Sequence, residues 1–160
     1  MKHSKLALVA LTLASSFATS GALADYRLTA FSDTAGFKAL VEKDTVTAES
    51  AFASLKLTDM DYFEANNLCV SQILVEEFDA AIVSCSAALE KAELSTELTV
   101  RNEKIALASV YSNLAVAKVM TGDTSGANID LEKALSLNLY DGNASINYGL
   151  ISSNLVVVVD

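Results

Sequence analysis

The sequence predicts an all-α protein built as an array of antiparallel helix pairs, an α-solenoid of about seven helices. One motif recurs in helical register: Asn67-Leu68-Cys69-Val70 is followed 46 residues later by Asn113-Leu114-Ala115-Val116, and 34 residues after that by Asn147-Tyr148-Gly149-Leu150. From Asp33 onward the apolar residues have a helical spacing, and the only strand pattern is the terminal run Val156–Val159. The chain contains no proline, which suits helices joined by short turns. Repetition of this kind is typical of binding scaffolds.

The first two predicted helices are short. Residues 35–41 place four apolar side chains on one face, and the pattern stops at Lys43-Asp44. Thr45 is a candidate N-cap for the second helix, over residues 45–55, which presents Ala48, Phe52 and Leu55 on one face.

Five longer helices are predicted after them. Thr58-Asp59 is the candidate cap of the third, and Gly122-Asp123-Thr124 is the clearest turn and cap, opening the sixth. Ser95 to Leu98 is a candidate start for the fifth helix, although its firmer part begins at Arg101. The predicted ranges are 58–75, 78–91, 101–121, 125–137 and 143–155.

Residues 1–24 have the features of a cleavable export signal. A basic start with Lys2 and Lys5 precedes an apolar run from Leu6 to Ala14, and small residues lead to a cleavage site after Ala24. No later segment has the ~18 consecutive apolar residues that spanning a bilayer requires, so no integral membrane anchor is expected. We therefore predict that residues 25–160 form one domain in the bacterial periplasm, or are secreted.

Charge excludes one class of partner. The chain has a formal net charge of −9, and loss of residues 1–24, which contain two lysines and no acid, makes it −11. Such a surface repels phosphate backbones, so no nucleic-acid partner is expected.

An enzyme is the alternative class of function. The only histidine is His3, which leaves with the signal, and phosphate-binding loops, nucleophile motifs and paired-cysteine metal motifs are absent. Acidic residues at Asp59-x-Asp61 and Asp141-Gly142-Asn143 could serve a small exported enzyme or metal-binding protein. Helix caps and turns explain both fragments more simply. We expect no catalytic residue, no metal and no cofactor.

Small residues recur in two columns, as close packing of paired helices requires. Each member of the second column lies twelve residues beyond a member of the first. The columns are Gly36, Cys69, Ala115 and Gly149, and then Ala48, Ala81 and Ala127.

With these columns the sequence resembles the tetratricopeptide repeat family. Tyr111-x2-Leu114-Ala115-x2-Lys118 followed by Ala127-x3-Leu131-x2-Ala134 fits the family pattern best, and the segment from Ala65 to Ala88 is a second copy. Residues 36–55 form a weaker copy and 143–155 a lone first helix, so the resemblance covers residues 33–155. The 46-residue offset departs from the usual 34, and the extra twelve residues lie within 93–104, as longer helices or as a loop.

The resemblance implies a concave groove lined by an asparagine ladder. An amide at Asn67, Asn113 and Asn147 offers both a donor and an acceptor to the backbone of an extended peptide. Alternatively these amides are remnants of duplication that are solvated or bond to an adjoining helix, and in either case we expect them to support little core. The other groove positions are Val70, Ile73, Val116, Val119 and Leu150.

Recognition of a C-terminal carboxylate is not expected. The family's carboxylate-binding members carry basic residues at the groove, whereas the matching positions here are Asn66, Ser112, Ile146, Phe63, Ser109 and Asn143.

Cys69 and Cys85 fall on the two helices of one predicted hairpin. In an oxidising compartment they form a candidate disulfide, and two buried free thiols are the alternative.

Three hypotheses apply to the terminal Val156–Val159 run. It covers the exposed face of the last helix, it lies in the groove and competes with the ligand, or it is a frayed end. We expect a non-catalytic scaffold or adaptor whose partner is a protein or extended peptide.

Overall fold

The computed structural model describes residues 8–11, 23, 25–95 and 99–155, with the backbone alone for residues 8–11, 154 and 155. The described part contains seven helices, so the predicted mostly helical fold class is confirmed. Their bounds are α1 Phe37–Glu42, α2 Thr45–Phe52, α3 Tyr62–Leu74, α4 Phe78–Glu93, α5 Val100–Met120, α6 Thr124–Leu137 and α7 Gly142–Leu155.

Two short strands were not predicted. β1 (Leu8–Leu11) lies in the apolar run of the expected signal, and β2 (Leu28–Phe31) follows that signal closely. They pair antiparallel, with Leu8 opposite Phe31 and Leu11 opposite Leu28. The expectation that the terminal valines carry the only strand pattern is therefore wrong, and those valines lie outside the described residues.

Most of the longer helices have an acidic side chain at the N-terminus that accepts hydrogen bonds from backbone amides. Asp61 accepts a hydrogen bond from the Glu64 amide at 2.8 Å while the Glu64 carboxylate accepts from the Asp61 amide at 3.2 Å, which forms a capping box. The third helix thus begins after Asp61 rather than after Thr58-Asp59. Asp123 caps α6, as the sequence predicts, by accepting from the Gly126 amide.

The N-cap of the second helix lies one residue before its predicted position. Asp44, and not Thr45, is the N-cap, and its carboxylate accepts from both the amide and the hydroxyl of Thr47. These hydrogen bonds hold the pKa of the Asp44 carboxyl below its ordinary value.

Consecutive helices from α3 to α7 pack on one another in sequence order. The core between them depends on small side chains, because Ala81, Ala115 and Ala127 have no exposed surface and allow the helix axes to approach closely. Cys69 in α3 and Cys85 in α4 form a disulfide with Cα atoms 5.3 Å apart, in agreement with the predicted bridge.

The longer offset between repeats is divided equally between helix and connection, since residues 93 and 100–104 lie in α4 and α5 and residues 94–99 lie between them. α4 continues to Glu93 and α5 begins at Val100, capped by the Thr99 hydroxyl. The connection between them spans residues 94–99, of which 96–98 lie outside the described residues.

Candidate functional site

The three predicted ladder asparagines lie on three different helices and bind one extended segment. Asn67 on α3 accepts a hydrogen bond from the Phe31 amide at 2.8 Å and donates to the Phe31 carbonyl at 2.8 Å. Its second amide proton goes to the Thr34 hydroxyl. The side chain therefore pairs with both backbone groups of a single residue.

The next two ladder positions repeat this geometry two residues apart along the segment. Asn113 on α5 accepts from the Thr29 amide at 2.9 Å and donates to the Thr29 carbonyl at 2.8 Å. Asn147 on α7 makes the same pair with Arg27, at 2.8 Å in each direction. Because alternate residues of a strand direct their backbone groups to the same edge, three amides spaced in this way match residues 27, 29 and 31.

The bound segment belongs to the chain itself. It comprises Arg27 and β2, and it crosses α7, α5 and α3 in that order as the chain runs from Arg27 to Phe31. Phe31 also packs edge-on against Phe63, with ring centroids 5.0 Å apart. The ladder thus holds the residues that immediately follow the expected signal, and we call this surface of α3, α5 and α7 the ladder face.

A second row of polar side chains completes the ladder. Asn66 donates to the Thr29 carbonyl at 2.9 Å and accepts from Asn113 at 2.8 Å. Asn143 donates to the Thr29 hydroxyl at 2.9 Å, and the Ser112 hydroxyl accepts from Asn147 at 3.0 Å. From the sequence, Asn66 and Ser112 stood out only as positions that lack a basic residue, and Asn143 also as part of a candidate metal-binding fragment. Their polar character was the signal that could have identified them.

The expectation that the ladder amides are solvated is wrong, because these side chains are buried. Asn67, Asn113 and Asn147 have no exposed surface, and neither does Asn66. Each ladder amide uses its oxygen and both of its N–H bonds, so each of these three groups has a partner in this buried site. The asparagines are part of the core as well as of a binding surface.

The predicted apolar groove positions divide into two groups. Val70, Ile73 and Val116 are completely buried, whereas Val119 and Leu150 are partly exposed. The first three are members of the hydrophobic core.

The acidic fragments considered for metal binding serve helix ends. The Asp61 carboxylate belongs to the capping box, and one Asp141 oxygen accepts from the amides of Asn143 and Ala144 at the start of α7. Among the described residues, no group of three or more histidine, cysteine, aspartate or glutamate side chains is arranged to hold a metal ion. None of the helices in the described part is both long and apolar enough to cross a membrane.

One charged pair lies within the core. Lys118 on α5 contacts Asp130 on α6 at 2.6 Å, and the Asp130 side chain is only 9% exposed. Burial raises the pKa of the Asp130 carboxyl above its ordinary value, and the nearby Lys118 ammonium opposes that rise. The pair joins the consecutive helices α5 and α6.

No protein-family model, curated protein or solved structure matches this chain.

Proposed function

We propose that this chain is a non-catalytic, exported scaffold or adaptor that binds another protein through its own extended segment, Arg27 and β2, which the ladder face holds. In this proposal residues 1–24 are removed on export to the periplasm, and the helices form a tetratricopeptide-like array whose concave groove is the ladder face. The partner is a protein or extended peptide, with no cofactor involved.

The observation that carries the proposal is the paired hydrogen bonding of Asn67, Asn113 and Asn147 to alternate backbone amides and carbonyls. Such contacts recognise main chain in an extended conformation and do not depend on the side chains of the bound segment. Recognition of this type is characteristic of peptide-binding surfaces, where the backbone supplies affinity and neighbouring pockets supply selectivity.

Site-specific photo-crosslinking in periplasm tests this proposal. A photo-reactive amino acid at Ser32, which is half-buried just beyond β2, reports on the ladder face, and the same amino acid at Ile129, 64% exposed on α6, is the matched control. We expect a covalent adduct with another polypeptide from position 32 and much less from position 129. Adding Asn113→Ala should abolish the adduct at position 32 under conditions where circular dichroism shows the variant to be folded, because it removes the central contact of the ladder.

Two results would contradict the proposal. Equal crosslinking from both positions, or crosslinking unaffected by Asn113→Ala, would mean that partners do not bind at the ladder face. Turnover of a small-molecule substrate by the purified chain without any partner would replace the scaffold with an enzyme.

A further inference from the structure

β2 has two edges, and the ladder holds only one of them. The backbone groups of Arg27, Thr29 and Phe31 face the asparagines. Successive residues of a strand direct their backbone groups to opposite edges, so those of Leu28 and Ala30 point mainly to the other edge, although the Leu28 carbonyl also accepts a long hydrogen bond of 3.4 Å from Asn143. This second edge of Leu28 and Ala30 is called the outer edge of β2.

In the full chain the outer edge is covered by β1. Val9 lies opposite Ala30 and Leu11 opposite Leu28, so these two pairs are the ones that exchange backbone hydrogen bonds. β2 packs on α1, α3 and α5, whereas β1 packs on β2 and has no comparable contact with any helix. β1 is therefore held mainly by the outer edge, and β2 is held by the helices.

The two strands also differ in whether they belong to the processed protein. Residues 8–11 lie within the expected signal, whereas β2 follows the expected cleavage site by four residues. After removal of residues 1–24, β2 remains hydrogen-bonded to the ladder, but the backbone groups of Leu28 and Ala30 lose β1 as their strand partner. Strand edges of this kind readily pair with another extended chain.

We propose that the outer edge of β2 in the processed chain binds an extended apolar segment of a partner protein as an antiparallel strand, in the place that β1 occupies in the full chain. The inference rests on the proposed function and specifies how the partner binds. The ladder then acts as a fixed support that keeps β2 straight and presents its outer edge.

Two observations define the partner segment. β1 has the sequence Leu-Val-Ala-Leu, so the site suits a strand of at least four residues that is apolar throughout. The processed chain carries a net charge of −11, which favours basic residues flanking that strand and opposes pairing between two copies of this chain.

A synthetic peptide of residues 5–13, Lys-Leu-Ala-Leu-Val-Ala-Leu-Thr-Leu, is the probe for this edge. It is titrated onto processed chain purified from periplasm, with the N-terminus at Asp25 verified by mass spectrometry. We expect saturable one-to-one binding, and at least tenfold weaker binding to the full chain, in which β1 already covers the edge. Hydrogen exchange should show new protection of the Leu28 and Ala30 amides.

N-methylation gives matched peptide variants. An N-methyl group at Val9 removes an N–H that points towards β2, whereas one at Ala10 removes an N–H that points away. We expect the Val9 variant to bind at least tenfold more weakly than the unmodified peptide and the Ala10 variant to stay within threefold.

Several outcomes would overturn the inference. The peptide does not add to the outer edge if it fails to bind, or if the two methylations weaken binding equally. Loss of hydrogen-exchange protection at Thr29 and Phe31 would show the same. A processed dimer that the peptide dissociates would make a second copy the occupant. A tenfold affinity gain after deletion of residues 156–160 would make the chain's own tail the occupant. If the inference fails while Ser32 crosslinking persists, the proposed function stands; loss of both would refute both.

Discussion

Replacement of Asn113 by alanine is expected to destabilise the fold as well as to weaken partner binding. Asn113 makes three buried hydrogen bonds, to the amide and carbonyl of Thr29 and to the Asn66 side chain. The substitution leaves the Thr29 N–H and the Asn66 oxygen without these partners, while the Thr29 carbonyl keeps its bond from Asn66. Since each unpaired buried polar group costs about 1–3 kcal/mol, the two groups together predict a loss of roughly 2–6 kcal/mol in the free energy of unfolding.

Urea denaturation followed by circular dichroism measures that loss. The control is Asn102→Ala, because Asn102 is partly exposed near the start of α5 and its backbone N–H, rather than its side chain, bonds to Thr99. We expect the control to change stability by less than about 0.5 kcal/mol, as surface substitutions generally do. A similarly small effect of Asn113→Ala would refute the argument that the ladder is a structural part of the core.

Asn113→Asp separates hydrogen bonding from cavity formation at the same position. The carboxylate still accepts from the Thr29 amide, but its other oxygen opposes the Thr29 carbonyl and the Asn66 oxygen, which accept hydrogen bonds from Asn113 in the native chain. We expect a destabilised protein at neutral pH that recovers partly in acid, where the protonated carboxyl donates again. Absence of any pH-dependent recovery would mean that the loss comes from altered packing.

Three further predictions concern the scaffold. Reductant should lower the melting temperature of the oxidised protein because it breaks the Cys69–Cys85 disulfide. This disulfide joins residues 16 positions apart and stabilises the fold by about 3 kcal/mol on the chain-entropy model. An unchanged melting temperature after verified reduction would contradict this prediction. Asp61→Ala should cost about 1 kcal/mol in urea denaturation because the capping box is lost, whereas Asp59→Ala should cost much less, and equal losses would exclude capping as the cause. The pKa of the Asp130 carboxyl is raised in the folded protein, so its contribution to stability is fully present below the ordinary carboxyl pKa of about 3.9 and is lost as the pH rises through the raised value. Over that pH range the native protein should lose stability relative to Asp130→Asn. Parallel profiles of stability against pH for the two proteins would contradict this prediction.

The helices could be predicted because each carries its own signal. A helix that buries one face repeats apolar residues locally, and its ends carry caps such as Asp123. The ladder asparagines were found in the same way, since repetition of the local motif aligns Asn67, Asn113 and Asn147, at offsets of 46 and 34, without knowledge of what they bind. Predicted caps erred by one to three residues where several capping side chains stand together, as at Thr58 to Asp61.

β2 could not be predicted because nothing local specifies it. Its four residues lack polar alternation, and all four are buried by elements far away in the sequence. The hydrogen bonds that hold it join residues separated by 36 positions at Phe31 and by 84 at Thr29. A periodic pattern identifies a segment that buries one of its own faces. β2 is extended for a different reason, because α3, α5 and α7 carry asparagine side chains whose spacing matches alternate residues of the segment from Arg27 to Phe31. For the same reason the repeat suggested a ladder but not its occupant.

The path of the N-terminal segment across α7, α5 and α3 has a consequence for how the chain folds. In ordinary repeat arrays each unit contacts only its neighbours, so ends can unravel independently and folding can begin at any unit. Here the pairing of Arg27 with Asn147, 120 positions apart, and of Phe31 with Asn67 links the last helix to the third through one strand. Such distant contacts raise contact order and should slow folding. They also couple the ends, so hydrogen exchange in α3 and α7 should reflect one cooperative opening instead of separate fraying.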